Sequence, residues 1–316
     1  LLALNFVASS SDYLLGIDIG GTAIKAAAFS CEGKPLSTRT EPTLDGRLKD
    51  GRPAWAVAVR QLVADFAGEL AAPARHIGLS APGLAAADQR SIASLPNRLA
   101  GIEGFDWADW LGQRVLVLND AHAALLGEVW QGAALACRNV VMLTLGTGVG
   151  GAAMVDGALL RGHFGRAGHL GHVTVDYSGK TASIFGMPGA LEVAIGNYNV
   201  GERSGGRFAD SSDLLKAAGE GDGAAQAVWE QSVQALGCAI GSFINAFDPE
   251  VVVLGGGVAG AGEALWLPLK RVLAKVEWRP FGEGVPVVPA KLGGWAGTFG
   301  AAWEAMRAAS GAAACR

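Results

Sequence analysis

Cysteine is scarce in this sequence, and Cys31, Cys137, Cys238 and Cys315 nowhere form a C-x-x-C pair. Four scattered cysteines among 316 residues read as buried or free thiols in a reducing compartment, so a cytoplasmic protein is expected. Positive charge is short as well. The formal net charge is -4, which leaves no basic surplus to neutralise a nucleic-acid backbone, and no nucleic-acid partner is expected. No apolar run approaches the roughly 18 residues needed to cross a bilayer, so no membrane partner is expected either. The stretch from Leu1 to Ala8 is apolar but lacks a basic leading region and an initiator Met, and residues before Asp12 are left out of the fold expectation.

What the chain does have is apolar mass and glycine turns. With 50% hydrophobic residues, 316 residues supply one large or two medium cores, and the length favours two domains. An apolar stretch ends in Asp18, Ile19, Gly20, Gly21 and Thr22, and a second one carrying Lys25 follows without a helix between them. That order predicts a hairpin built to hold a phosphate. Gly20 and Gly21 can take φ > 0 and expose their N–H groups to an anion, Thr22 and Lys25 add a hydroxyl donor and a cation, and Asp18 would anchor Mg²⁺ at the tip. An ordinary hairpin turn is the plain alternative, because Gly-Gly is a common hairpin dipeptide.

The device recurs. Val140 to Leu145 leads into Gly146, Thr147, Gly148, Val149, Gly150 and Gly151, then into Ala152 to Val155. Recurrence predicts a duplicated fold, each half opening with its own phosphate hairpin, the two facing each other across a cleft.

Hydrophobic periodicity predicts strands at about 14–19, 24–29 and 35–41, then a helix carrying Trp55, Val59, Leu62, Val63 and Phe66. A strand near Ile77 to Ser80, a loop from Pro82 to Gly104 and a strand from Val115 to Leu118 follow, with a helix starting right after Asn119 and Asp120. The second half predicts strands over 139–160, a long loop, a helix around 223–247, a strand from Val251 to Leu254, a helix near 262–277, a strand from Val285 to Val288 and a last helix from about 298. Such alternation implies α/β layers with mostly parallel central strands, made mixed by the hairpins.

Gly255, Gly257 and Gly260 fit G-x-G-x-x-G after a strand, with Glu277 downstream, which on paper is a dinucleotide fingerprint. That pattern belongs in a first βα turn and leaves both earlier hairpins without a role. Close approach to the adenosine end of a nucleotide accounts for the same glycines. Asn119 and Asp120 lie where a buried strand meets a helix, the edge where α/β proteins place ligands, and both N-capping and general-base duty suit them.

Taken together, Asp18 with Gly20, Gly21, Thr22 and Lys25, the Asn119–Asp120 pair, the run Gly146 to Gly151 and the turn Gly255 to Gly257 resemble, in order and spacing, the ROK family of sugar kinases and sugar-responsive repressors. The resemblance extends from about Tyr13 to the last helix. It implies a two-lobed actin/hexokinase-like, ribonuclease H-like ATPase fold with a duplicated mixed sheet and ATP and Mg²⁺ in an interlobe cleft. The lobes expected are 12–121 plus 297–316, and 122–296. By resemblance Asp18 holds the metal, Gly20, Gly21, Thr22, Lys25, Gly146, Thr147 and Gly148 take the phosphates, and Gly255, Gly256 and Gly257 approach the adenosine. Asp120 would deprotonate a sugar hydroxyl, most plausibly the 6-hydroxyl of a hexose or N-acetylhexosamine, for in-line attack on the γ-phosphate. Asn97, Asn119, His169, His172 and Glu192 would join Asp120 around the sugar; for Asn97 a plain turn role weighs about equally. Members are often dimers, which admits a homodimer here, although the chain itself carries no interface signal.

Two departures stand out. Family kinases usually carry Glu where this chain has His169, which replaces an acceptor-only carboxylate with a ring that both donates and accepts. Many members follow the His with a zinc knuckle of three Cys, yet Ala182 to Ala190 contains none. A structural zinc site needs four ligands, so no zinc is expected, and packing by Ile184, Phe185 and Met187 is expected to hold the loop. His163, His169 and His172 form a weaker candidate for another metal site. The main alternative to a kinase is a non-catalytic sugar sensor of the same fold, followed by an NAD-dependent enzyme. Only 17 residues precede Asp18 in this sequence, too few for a helix-turn-helix, so a DNA-binding role is not expected.

Overall fold

A computed structural model describes residues 12–311; Cys315 and the apolar stretch from Leu1 to Ala8 lie outside them. The chain forms two compact units, one running through Gly132 and resuming at Trp295, the other spanning Ala133–Gly294.

The first unit opens with β1 (Leu14–Ile19), β2 (Ala23–Phe29) and β3 (Pro35–Pro42), followed by a two-residue-strand hairpin of β4 (Leu48–Lys49) and β5 (Arg52–Pro53). Helix α1 (Ala54–Glu69) buries Trp55, Val59, Leu62 and Phe66, the three-to-four-residue spacing of an amphipathic helix seated on a sheet. Next come β6 (His76–Ala81) and a small hairpin of β7 (Leu84–Ala85) and β8 (Ile92–Ser94) inside the expected loop. Helix α2 (Trp107–Leu111) was not expected from periodicity, because five residues carry too little of it. Its signals are the ends: Asp106 accepts from the Ala108 and Asp109 N–H groups, and Gly112 closes it at φ 70°. Strand β9 (Val115–Asn119) and helix α3 (Asp120–Gln131) complete this stretch.

The sheet order is β3-β2-β1-β6-β9, with β1, β2 and β3 antiparallel and β1, β6 and β9 parallel. Strand β1 has Leu15, Ile17 and Ile19 buried against one core together with Trp55, Phe66 and Trp107.

In the second unit β10 (Val140–Leu145), β11 (Val149–Val155) and β12 (Ala158–Leu159) lead into a stretch read from sequence as one long loop. It contains α4 (Leu191–Ile195), α5 (Val200–Arg203) and α6 (Ser211–Gly219). Helix α7 (Gly223–Phe247), β13 (Val251–Gly255), α8 (Glu263–Val276) and β14 (Val287–Pro289) follow. The order β12-β11-β10-β13-β14 repeats the first sheet strand for strand, with the same antiparallel hairpin and parallel partners. The duplication expected from the two glycine turns is therefore present in the backbone.

Helix α9 (Ala296–Ala309) returns to the first unit and packs at unusually close range. A Cβ on Gly16 of β1 would lie 1.9 Å from the Thr298 carbonyl oxygen, and one on Gly78 of β6 would lie 1.8 Å from that of Ala301. On the other side, a Cβ on Gly300 would lie 1.8 Å from the Ala123 carbonyl oxygen of α3. The backbones therefore touch where a side chain would hold them apart. Because α3 packs on α9, it belongs with the first unit, which runs through Gly132 where the sequence reading divides the chain after 121. Among the described residues no helix is long and apolar enough to cross a membrane.

Candidate functional site

In the first unit the polar residues collect at the carboxyl ends of the parallel strands. Asp18 on β1 stands beside Ser80 on β6, and Asn119 ends β9. Ser80 donates to the Asp18 carboxylate at 2.6 Å. Burial, reinforced by the nearby Asp120 charge, pushes the Asp18 carboxyl up to about 6, against the opposing pull of the Ser80 hydrogen bond and the Lys25 cation. Lys25 lies opposite Asp18 in the β1–β2 register and also sits 5.8 Å from the Trp295 ring centroid. A Cβ on Gly297, in the first turn of α9, would come within 2.8 Å of the Asp18 carboxyl carbon. Only glycine lets that helix start reach the carboxylate.

The turn from Gly20 to Thr22 joins β1 to β2, and neither Gly20 nor Gly21 uses the positive φ open to glycine. Its shape comes from a clamp. The Gly20 N–H donates to the Ala23 carbonyl, the buried Thr43 hydroxyl donates to the Gly20 carbonyl at 2.7 Å, and the Thr43 N–H donates to the Thr22 carbonyl. With these carbonyls engaged, no backbone acceptor among the described residues takes the Gly21 or Thr22 N–H. Thr43→Val should leave the fold intact and loosen the turn, read as several-fold faster hydrogen exchange at the Gly21 and Thr22 N–H groups; unchanged exchange would mean the clamp does not shape the turn.

Asn119 caps α3, accepting from the Ala121 and His122 N–H groups, while its amide donates to the Gly83 carbonyl and to Asp120 at 2.9 Å each. These bonds engage the Asn119 amide within the protein and fix it beside Asp120. Asp120 is exposed at the first helical position. One of its oxygens accepts from Asn119 and from the Ala121 N–H at 2.8 Å, and no hydrogen bond among the described residues takes the other. Asn97 is exposed at φ 63°, in a conformation that asparagine tolerates, and lines a cleft of about 680 Å³ with Asp45, Arg98 and Glu103.

In the second unit, Gly146 to Gly148 turn from β10 into β11, and the Gly146 and Thr147 carbonyls accept from the Asn197 and Tyr198 N–H groups. A Cβ on Gly148 would lie 2.9 Å from a Glu192 oxygen, so that buried carboxylate sits directly beneath the turn. The other Glu192 oxygen is 3.5 Å from His172 Nδ1, and both atoms are buried with no hydrogen-bond partner among the described residues. The His169 ring stacks parallel to that of His172 with centroids 6.2 Å apart, and Phe185 meets His172 edge-on at 5.2 Å. At the end of the adjacent β13, Gly256 has φ 86°, and a Cβ there would lie 2.3 Å from the Leu145 carbonyl oxygen. Gly146 and Gly257 face open space, as a close ligand approach requires. The downstream Glu277 accepts from Arg279 and from the Val285 N–H, so it is engaged within the protein and does not act as the ribose acceptor of a dinucleotide site.

The cysteine-free loop is held differently from what its apolar residues suggest. Ile184 and Phe185 are 64% and 51% exposed and so cannot form its core. Instead the buried Ser183 hydroxyl accepts from the Phe185 and Met187 N–H groups, Asp176 accepts from Ser178, and Thr181 donates to Glu202 at 2.6 Å. Among the described residues no group of three His, Cys, Asp or Glu is placed to hold a metal ion.

Two glycine turns thus stand on two copies of one sheet, with a carboxylate at the end of the first copy. The pattern of the ROK family matches residues 14–308. The chain belongs to the ROK family. It is 32% identical to the glucokinase of Halalkalibacterium halodurans over 93% of this chain and 95% of that one. Among solved structures it is similar to the ROK hexokinase of Thermus thermophilus, at 32% identity and TM-score 0.82, covering 95% of this chain and 99% of that one. A ROK family glucokinase from Streptomyces griseus, solved in complex with glucose and AMPPNP, aligns at 28% identity and TM-score 0.73 over 93% and 99% of the two chains. This ROK protein therefore has the mixed α/β, actin-like ATPase fold with two mixed sheets, and its relatives support sugar kinase activity. Order and spacing in this ROK chain point to both turns, to Asp18 and to Asp120 but not to Thr43, Ser80 and Gly297, which the structure brings against the first turn or Asp18. Those residues lie in other strands, helices or loops and meet the motifs only in space.

Proposed function

We propose that this protein transfers the γ-phosphoryl group of ATP to the 6-hydroxyl of a hexose or N-acetylhexosamine, with Asp120 as general base. The observation that carries this is Asp120 itself: a carboxylate fixed through one oxygen, with the other unengaged, in the same unit as the Gly20–Thr22 turn and Asp18. The sugar oxygen forms a bond to Pγ as the bond from Pγ to the β,γ-bridging oxygen breaks. Its proton passes to Asp120, and the bonding pair leaves with ADP.

In the first unit Gly21, Thr22 and Lys25 are the residues assigned to phosphate; in the second unit Gly146, Thr147 and Gly148 form a turn of the same kind, and Gly255, Gly256 and Gly257 are assigned to the adenosine end. The donor set fits Mg²⁺, because that ion is held by one or two carboxylates with phosphates and waters rather than by an all-protein cage. Asp18, whose buried carboxyl lacks a compensating full charge strong enough to keep its affinity for a proton low, would hold it with Ser80 and Asp120 alongside. Bound Mg²⁺ would neutralise phosphate charge during transfer.

Within the second unit, the Glu192 and His172 atoms that have no hydrogen-bond partner among the described residues, with His169 stacked beside them, offer directional polar groups of the kind a sugar requires, and within the first unit Asn97 on its exposed turn offers another. The glucose and AMPPNP complex of the Streptomyces griseus relative supports a hexose and an adenine nucleotide here. A coupled assay of ADP release over glucose, N-acetylglucosamine, N-acetylmannosamine, mannose, allose and fructose tests the function. Sugar binding without sugar-dependent ADP release would instead identify a sensor. His169→Glu should reorder relative kcat/KM across that panel by about tenfold or more while the KM for ATP stays within about twofold, since one changed polar contact is worth 1–3 kcal/mol. Unchanged ratios would remove His169 from the sugar site.

A further inference from the structure

Arg98 is an exposed cation held over the first phosphate turn by the neighbouring loop. A Cβ on Gly21 would lie 2.8 Å from Arg98 Nη2, so the guanidinium occupies the space above bare main chain. The residues on either side of it, Asn97 at φ 63° and Leu99 at φ 48°, both adopt the left-handed conformation, which costs a non-glycine residue on the order of 1 kcal/mol or more. That backbone is held in place from two sides. Leu99 is fully buried in the core, and the two Asp45 carboxylate oxygens accept from the Leu99 and Ala100 N–H groups at 2.8 and 3.1 Å. Asp45 senses the Arg98 charge but is already engaged by those N–H groups, and no carboxylate among the described residues forms an ion pair with Arg98. A loop kept in a costly conformation therefore presents an unneutralised, planar fork of donors to a turn shaped for phosphate.

We infer that Arg98 is the cation that binds the transferring phosphoryl group, delivered to the Gly20–Thr22 turn by the same loop that carries Asn97. The inference rests on the kinase reading above. During transfer, charge gathers on the γ-phosphoryl oxygens and on the departing ADP, and a guanidinium matches two such oxygens at once where a point charge does not. Lys25 faces Asp18 across the strand register, and the cation placed over Gly21 is Arg98. Gly21 is then glycine for a reason beyond the turn itself: any side chain there would displace the guanidinium.

The test uses the full chain with Arg98→Ala, Arg98→Lys and Gly21→Ala, the last retaining the arginine but crowding its seat. Expected for Arg98→Ala is a fall in kcat of about 10²–10³-fold, with sugar KM within about threefold, melting temperature unchanged and ADP affinity unchanged by calorimetry. ATP affinity should fall several-fold, and tight binding of ADP with aluminium fluoride should be lost. Arg98→Lys should recover part of kcat, and Gly21→Ala should lower kcat by less than Arg98→Ala, because the tip of the arginine can shift to admit a methyl. Retention of kcat within about threefold in Arg98→Ala would overturn the inference, as would parallel loss of ADP, ATP and sugar binding with a lowered melting temperature, which marks a structural residue. If the native protein transfers no phosphate to any sugar, the kinase reading fails by itself. The ATP-against-ADP comparison then still decides whether Arg98 senses a γ-phosphate.

Discussion

Asp120→Asn is expected to lower sugar-dependent turnover by about 10²–10⁴-fold while nucleotide and sugar still bind. The substitution keeps an oxygen where Asp120 accepts from Asn119 and from the Ala121 N–H, so the start of α3 keeps its hydrogen bonds and the melting temperature should move little. What disappears is the basic lone pair that takes the hydroxyl proton. Steady-state rates with titration calorimetry for ATP and the preferred sugar separate the two effects. A kcat within tenfold of the native protein would remove Asp120 as the base and leave positioning by the phosphate turns as the source of catalysis. Asn119→Ala would be a poorer test, because it removes a helix cap and the Gly83 contact together with the support of Asp120.

Gly78→Ala should destabilise the protein by about 3 kcal/mol or prevent its accumulation as folded material. The added methyl would lie 1.8 Å from the carbonyl oxygen and 2.2 Å from the carbonyl carbon of Ala301. These are backbone atoms of a helix, so no rotamer change relieves the clash, and α9 must move off the sheet. A shift of that size corresponds to a fall in melting temperature on the order of 10 °C. Activity should fall with it, because the same helix brings Gly297 to Asp18. Gly68→Ala is the matching control: it lies exposed within α1, without positive φ and with nothing near its Cβ position, so it should be neutral or stabilise by up to about 1 kcal/mol. Equal melting temperatures for the two variants would show that the close approach of α9 is not a determinant of stability.

The elements that were legible are those with local signals. Strand β1, the helix over 223–247 and the strand at Val251 announce themselves through uninterrupted apolar runs or sustained periodicity, and both glycine turns through their abrupt placement between two strands. Helices α2, α4 and α5 were missed because four or five residues cannot display a 3.6-residue period, although the caps of α2 were readable. At the cysteine-free loop, composition misled. Ile184 and Phe185 look like core residues but lie exposed, while the polar Ser183 is the buried residue that organises the segment.

Order along the chain was enough to establish a repeated strand–turn–strand unit, its alternation with helices and the residue types available for phosphate and proton chemistry, because these depend on neighbours in sequence. Folding in three dimensions decided how those residues are used. Thr43 rather than positive φ shapes the first turn, burial reinforced by the Asp120 charge raises the proton affinity of Asp18 against the pull of the Ser80 hydrogen bond, and internal hydrogen bonds fix Asn119 beside Asp120. Each of these depends on groups distant in sequence approaching within a few ångströms, where hydrogen bonding, desolvation and steric exclusion act, and no local pattern encodes which groups those will be.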